Sequence, residues 1–149
     1  MLDTDHISLL QRGNPVVISK IATINSLKIS VTVITIVEQM YGRLDVIKRA
    51  KSKQELVTAY ALLKETFNRL CQGNILDFDE AAFDIYNELR AAKIRIGTQD
   101  LRIAAIALSV SATVVTRNRK DLVQSSWFEN CGLVDTLRFF TISNPAKSN

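Results

Sequence analysis

The feature that most limits the fold is a continuous β-branched run, Ile29–Ile34, which reads ISVTVI. Such a run fits a strand that is buried on both faces of a parallel sheet better than it fits an amphipathic helix. A second short apolar run, Ala112–Val115, also predicts a strand. Apolar residues recur at helical spacing in the segments between them, so strands alternate with helices. The sequence therefore predicts an α/β sandwich with a mainly parallel sheet.

Helical patterns fill much of the remaining chain. Start signals at Asn14-Pro15 and at Asp79 predict where two helices begin. Two longer patterns predict an antiparallel helical pair, and a helix that is almost wholly apolar predicts burial. The predicted helices are Val16–Ile24, Val37–Ala50, Gln54–Leu70, residues 79 to 93, Gln99–Ser109 and Lys120–Gln124, and late edge strands are predicted near Gly132–Val134 and Arg138–Ile142.

Size and composition indicate a single globular domain. The chain has 149 residues, of which 47% are hydrophobic, enough for one substantial core. We expect this domain to span residues 1–143, with a frayed tail at 144–149. No apolar run approaches the ~20 residues that span a membrane, and no signal-type segment begins the chain, so a cytoplasmic protein is expected.

The chain has one histidine and two cysteines, so we expect carboxylates to carry out any catalysis. Cys71 and Cys131 have no metal-binding spacing and are expected to be buried free thiols in a reducing compartment. His6 is the single histidine, which argues against a zinc site with several imidazoles. The net charge of +4 favours a polyanionic partner without requiring one.

Four acids stand where a functional edge of the sheet is expected. Asp3 follows the start of the chain, Glu38 lies one helical turn beyond ISVTVI, and Asp121 follows ATVV after a short turn. Asp100 begins the buried helix, so its carboxylate can point to the same edge. Because clustered carboxylates repel one another unless a cation neutralises them, the pattern predicts bound Mg²⁺. The metal would activate a water for in-line phosphodiester cleavage.

Structural explanations compete with this reading for three of the acids. Thr35 opens a predicted helix and forms a capping box with Glu38. Asp100 can complement a helix dipole, and Asp121 can be a solvated turn acid. Asp3 has no comparable capping or pairing role. Evidence from any single acid is therefore modest.

Other side chains near the predicted edge have two possible roles. His6 is expected to pack near the loop after Asp3, with proton transfer as a minor alternative. Trp127-Phe128 are expected in the core or an interface rather than in base stacking. Three basic residues can contact phosphates or form a solvated face, namely Arg117, Arg119 and Lys120.

Four ordered segments resemble the motifs of the PIN domain, and in particular the VapC toxins of bacterial toxin–antitoxin systems. The resemblance implies a PIN-like three-layer α/β/α sandwich and a Mg²⁺- or Mn²⁺-dependent endoribonuclease. It also implies an RNA substrate, a small cognate antitoxin and a homodimer. The segments are Leu2–Asp5, Thr35–Glu38 followed by Gly42, Asp100–Ala107 and Val115–Leu122.

Matched residue by residue, the resemblance assigns the catalytic positions. Asp3, Glu38 and Asp100 take the three most regular acidic positions, with Asp3 and Asp100 as the expected metal ligands. The fourth position is shared between Asn118 and Asp121.

The resemblance also assigns neighbouring residues and shows two departures. Thr116 would orient the group at the fourth position. Asp5 replaces an asparagine that is common in the family, which adds negative charge near the metal. Only Met1 and Leu2 precede Asp3, so the first strand is either very short or begins upstream of this sequence.

Two rival functions remain. Asp3 and Asp5 match the DxD spacing of haloacid dehalogenase-like phosphatases, where nucleophile and general acid stand two residues apart. Those enzymes also need a later acidic pair, which Thr116–Asp121 does not supply. A catalytically silent PIN-like module that binds RNA or protein is the non-enzymatic alternative. The intact acids at the first three positions argue against it.

Overall fold

A computed structural model of the protein describes residues 1–2, 4–25, 28–94, 96–115 and 139–140. Within these residues, helices and strands alternate as the sequence pattern predicts. The helices are α1 (Thr4–Gln11), α2 (Pro15–Ala22), α3 (Val33–Arg49), α4 (Lys53–Cys71), α5 (Glu80–Ala91) and α6 (Thr98–Ser109), and the strands are β1 (Ser30–Thr32), β2 (Asn74–Leu76), β3 (Val114–Val115) and β4 (Phe139–Phe140).

The strands form two parallel pairs, and the first two residues of the chain hydrogen-bond to both pairs or next to them. β1 pairs with β2, with Ser30 opposite Asn74, and β3 pairs with β4. The amide of Leu2 donates a hydrogen bond to the Ser30 carbonyl at 2.9 Å. The amino group of Met1 donates to the Thr113 carbonyl, just before β3, at 2.8 Å. Residues 1 and 2 therefore lie between β1 and the residue that precedes β3 and hydrogen-bond to both.

Apolar residues cover both faces of this sheet. Met1 and Val114 belong to one cluster, which contains most of α6 and the inner face of α5. Leu2 and Val31 belong to a second cluster, which contains Ile7 of α1 and a residue of α4. Because successive residues of a strand point to opposite faces, Met1 and Leu2 begin the two cores. The predicted α/β sandwich is confirmed, and so is the burial of α6.

The boundary between β1 and α3 differs from the prediction. The strand predicted at Ile29–Ile34 covers Ser30–Thr32 only, and α3 already begins at Val33. Thr32 ends the strand and caps the helix, because its side-chain oxygen accepts the Thr35 amide at 3.0 Å. The prediction that Thr35 opens the helix is therefore wrong. Thr35 is buried in its first turn.

Two further expectations are corrected. The sequence pattern predicts no helix before Asn14, whereas Thr4–Gln11 forms α1. Cys71 was expected to be buried, but it is exposed at the end of α4. Other predictions lie outside the described residues: the helix at Lys120–Gln124, the strand near Gly132–Val134, the surroundings of Cys131 and Trp127-Phe128, and the tail at 144–149.

The remaining predicted helices agree with the structure. Asn14 caps α2 by accepting the amides of Val16 and Val17, and Asp79 caps α5. The predicted antiparallel pair corresponds to α3 and α4, which pack together after a short connection. No helix in the described part of the chain is both long and apolar enough to cross a membrane.

Candidate active site

Only part of the predicted acidic cluster lies among the described residues. Glu38 lies in α3 and Asp100 in α6, and both are partly buried. These two helices pack against each other. The predicted site residues that lie outside the described residues are Asp3, Thr116, Arg117, Asn118, Arg119, Lys120 and Asp121.

Glu38 is held by a contact with the start of α1. The hydroxyl of Thr4 donates a hydrogen bond to Oε2 of Glu38. Hydrogen bonds to an ionised carboxylate are stronger than those between neutral groups. The capping-box explanation of Glu38 does not hold, because Thr32, not Thr35, caps α3. Glu38 instead joins α3 to the residue that directly follows Asp3.

Gln39, the next residue of α3, binds the same helix. Its side-chain amide donates to the Thr4 carbonyl at 3.3 Å and to the Ser8 hydroxyl at 3.0 Å. Gln39 is 7% exposed, so water competes little for these bonds. Two consecutive residues of α3 therefore fix the start of α1. They also limit where the backbone of Asp3 can lie, since Asp3 is bonded directly to Thr4.

The sequence analysis did not identify Thr4 and Gln39 as parts of the site. A weak signal exists for Gln39, which stands four residues after Thr35 and so shares its helix face. Nothing in the sequence shows that this face meets α1. Thr4 stands next to a predicted catalytic acid, but its partner lies 34 residues away.

Asp100 is close to the N-terminal end of α6. Gly97, at the cap position, makes no side-chain cap hydrogen bond. A Cβ atom at Gly97 would lie 3.2 Å from Oδ2 of Asp100, so glycine permits this close approach. An acid in the first turn stabilises the positive end of a helix, which supports the dipole role considered for Asp100. That role is compatible with metal binding.

The acid and the histidine that follow Thr4 are placed differently. Asp5 is exposed on α1. His6 is completely buried, which agrees with the expectation that it packs in the interior. A buried imidazole has no direct access to a substrate at the surface.

A groove of about 520 Å³ opens beside Glu38 between α1, α3 and α4. Arg43 crosses it, donating to Gln11 of α1 at 2.7 Å and to Thr66 of α4 at 2.9 Å. The lining contains three arginines and two glutamates. These are Arg12, Arg43, Arg69, Glu38 and Glu65.

The donor types in the site fit a hard divalent cation. Glu38 and Asp100 offer carboxylate oxygens, which Mg²⁺ and Mn²⁺ prefer. Among the described residues, no three acidic, histidine or cysteine side chains come close enough to hold a metal ion. The predicted site also includes Asp3 and Asp121, which lie outside the described residues.

Comparison with known families agrees with the fold and the motifs. A family model described as the PIN domain matches residues 1–124. The chain belongs to the PIN domain family. The resemblance seen in the sequence motifs is thereby confirmed. No curated protein matches this PIN domain significantly.

Solved structures similar to this PIN domain cover nearly the whole chain. FitAB bound to a DNA fragment is 25% identical with a TM-score of 0.68, covering 99% of this chain and 98% of that chain. DNA-bound VapBC from Salmonella typhimurium is 22% identical with a TM-score of 0.70, covering 96% and 97%. A toxin–antitoxin complex from Klebsiella pneumoniae is 20% identical with a TM-score of 0.64, covering 83% and 90%. These similarities support the α/β/α fold of the PIN domain.

Proposed function

We propose that this PIN protein is a Mg²⁺- or Mn²⁺-dependent endoribonuclease and the toxin of a toxin–antitoxin pair. The observation that carries the proposal is the hydrogen bond from Thr4 to Glu38. It ties a partly buried carboxylate to the residue next to Asp3, at an end of the sheet where the family motifs predict a shared acidic site. Neither a solvated surface acid nor a helix cap accounts for this contact.

The proposed site contains Asp3, Glu38 and Asp100, with Asp121 or Asn118 at the fourth position. Asp3 and Asp100 would hold the ion, which lowers the pKa of a bound water and stabilises the leaving oxygen. Thr4 occupies Oε2 of Glu38, which leaves Oε1 to orient the attacking water or accept its proton.

The proposed neighbours of the site have supporting roles. Thr116 would orient the group at the fourth position, and Asp5 would add negative charge near the ion. The substrate phosphates would meet a basic segment close to the fourth position, formed by Arg117, Arg119 and Lys120.

The similar structures support a protein partner for the proposed toxin. FitAB and VapBC are complexes, and one similar structure is described as a toxin–antitoxin complex. We therefore propose that a small antitoxin binds this chain and that the chain forms a homodimer. A cytoplasmic location is part of the proposal, because the RNA substrate is found there.

Cleavage of RNA by the purified protein tests the proposed enzyme. We expect cleavage with Mg²⁺ or Mn²⁺ that EDTA stops, measured by gel electrophoresis of labelled RNA. Glu38→Gln and Asp100→Asn are each expected to lower the cleavage rate by about 100-fold or more, Glu38→Gln through loss of the group that positions or deprotonates water and Asp100→Asn through loss of a metal ligand. Asp45→Asn is the matched control, because Asp45 is an exposed acid of α3 paired with Arg49.

Other outcomes identify the rival functions. Metal-independent RNA binding without cleavage, unchanged by the two substitutions, would mean a catalytically silent module. Phosphate release from small phosphomonoesters, with a trapped aspartyl-phosphate, would mean a phosphatase. The PIN match favours the ribonuclease over the phosphatase. The toxin role requires that expression arrests growth and that a small neighbouring gene relieves the arrest.

A further inference from the structure

Gly42 lines the groove beside Glu38, and no packing contact among the described residues requires a glycine at this position. It lies in the interior of α3, where glycine is less favourable than alanine. It is not among the positive-φ glycines of the described chain. A Cβ atom at Gly42 would meet no atom within 4 Å in the part of the chain that the structure describes. The space above Gly42 is therefore open to a ligand.

Two cationic groups of the groove have no carboxylate partner within the part of the chain that the structure describes. Arg69 pairs with Glu65, so their charges compensate each other. Arg43 is partly buried, and its two hydrogen-bond acceptors, on Gln11 and Thr66, are neutral. Arg12 is exposed and forms no ion pair within the described residues. Two guanidinium groups in the lining can thus take an anionic ligand.

We propose that this groove binds the phosphodiester backbone of the RNA strand that enters the site at Glu38. Arg12 and Arg43 are its phosphate ligands, and the strand passes over Gly42. The inference rests on the proposed ribonuclease function and adds a substrate path on α1, α3 and α4.

The shape of the groove and the side chains that line it support an RNA strand as its ligand. A volume of about 520 Å³ suits a small section of a strand rather than a folded partner. Guanidinium groups bind phosphate oxygens in paired hydrogen bonds. Gln11 and Thr66 hold Arg43 in place before the ligand arrives, so less side-chain freedom is lost on binding. The hydroxyls of Thr4 and Ser8 in the same lining can bind sugar or phosphate oxygens.

Substitution of Gly42 separates ligand binding from stability. Gly42→Ala is expected to raise the melting temperature by about 1–4 °C, because alanine is the better helix former. It is expected to weaken RNA binding about fivefold, since the methyl group enters the space of the strand, and Gly42→Leu is expected to weaken it further. Binding is measured by fluorescence anisotropy of a short labelled single-stranded RNA, in a Glu38→Gln background with Mg²⁺ to prevent cleavage.

Removal of the positive charge of Arg12 and of Arg43 tests the phosphate contacts. Arg12→Gln and Arg43→Gln are each expected to weaken RNA binding about tenfold and to reduce the slope of log affinity against log salt by about 0.7. Lys51→Gln is the matched control, because Lys51 is an exposed cation at the connection between α3 and α4, outside the groove. Arg12 is exposed, so its variant remains informative if Arg43→Gln does not fold.

The outcomes distinguish this inference from the function on which it rests. If the unsubstituted protein cleaves RNA while the Gly42 and Arg12 variants bind it as tightly as their parent, the groove is not the RNA path. If those variants lose binding of an acidic peptide, poly-glutamate, but not of RNA, the groove takes a protein ligand and the proposal is wrong. If the unsubstituted protein neither binds nor cleaves RNA, the proposed ribonuclease function is wrong, and the inference about the groove is wrong with it.

Discussion

Glu38 and Gln39 are neighbours in the sequence, and both bind the start of α1. Gln39 contributes two donors from a buried position, and each donor finds an acceptor on α1. A buried amide without such acceptors would be unfavourable, so these bonds specify how α1 meets α3. The position of Glu38 is therefore set by a small polar network, with Thr4 as its centre.

The contribution of Thr4 can be measured with an isosteric substitution. Thr4→Val removes the donor to Glu38 and keeps the volume, and we expect RNA cleavage to fall about tenfold, equivalent to about 1.4 kcal/mol. Thr4→Ser should restore most of the rate, because it restores the hydroxyl. Thr58→Val serves as control, since Thr58 is exposed on α4 and its hydroxyl donates to a backbone carbonyl of the same helix.

The cleavage activity of the double variant Thr4→Val with Glu38→Gln also tests whether Thr4 acts by positioning Glu38. If Thr4 acts through Glu38, Thr4→Val should cause little further loss of activity when added to Glu38→Gln. Additive losses would show that Thr4 acts independently of Glu38.

At the scale of elements, the junction of β1 and α3 places Glu38 six residues after the helix cap. Thr32 is completely buried, and its hydroxyl lies 3.0 Å from that of Thr35 as well as accepting the Thr35 amide. The change from strand to helix occurs at this one residue. A shift of the helix start would rotate Glu38 away from Thr4, since each residue of a helix turns about 100°.

This junction yields a prediction about stability. Thr32→Val removes the cap and leaves a buried amide unsatisfied, so we expect the free energy of unfolding to fall by about 2 kcal/mol. Ser52→Ala removes the exposed cap of α4 and should cost about 0.5–1 kcal/mol. Urea denaturation of both variants provides the comparison. Equal decreases in the free energy of unfolding would mean that burial of the Thr32 cap adds no stability beyond that of an exposed cap.

The same junction shows how far the sequence predicts the elements. Caps at Asn14 and Asp79 were predicted correctly because capping is local chemistry. Val33 and Ile34 favour a strand by their β-branched side chains, yet they form the first turn of α3 because tertiary packing overrides a weak propensity. Helix α1 was missed for a related reason: it has only eight residues, and its hydrogen bonds with Glu38 and Gln39 depend on how two helices meet, which the sequence does not show.

The sequence also predicted part of the candidate site, namely the positions of its acids but not their contacts. The motif acids Glu38 and Asp100 stand in α3 and α6 near the helix starts, as their spacing suggested. The bonds of Thr4 with Glu38 and Gln39 could not be predicted, because they depend on how two helices meet. The two structural explanations for these acids had different outcomes. The capping box proposed for Glu38 is wrong, because Thr32 caps α3. The interaction with the helix dipole is supported for Asp100, which lies in the first turn of α6.

At the scale of the whole molecule, the first two residues join the β1 and β3 sides of the sheet. The Met1 ammonium donates to Thr113, and its burial lowers its pKa below the ordinary value of 8.0. The folded state therefore holds this proton less tightly than the unfolded state does. This difference makes stability depend on pH.

For a chain that begins at Met1, stability should increase with pH. Between the lowered pKa and 8.0 the unfolded state binds more protons, so the free energy of unfolding rises with pH through this window and levels off above it. Urea denaturation at a series of pH values measures the slope. Acetylation of the Met1 amine removes the charge in both states and should remove this contribution. An unchanged slope after acetylation would contradict the prediction.

The position of residues 1 and 2 also has a consequence for the order of folding. Met1 and Thr113 are 112 residues apart in the chain, yet a hydrogen bond joins them. A ribosome must therefore make most of the described polypeptide before this contact can form. Such long-range closure is slow compared with helix formation. The nascent chain can form its helices early, but the edge proposed to carry the active site is completed only when this late contact closes the sheet.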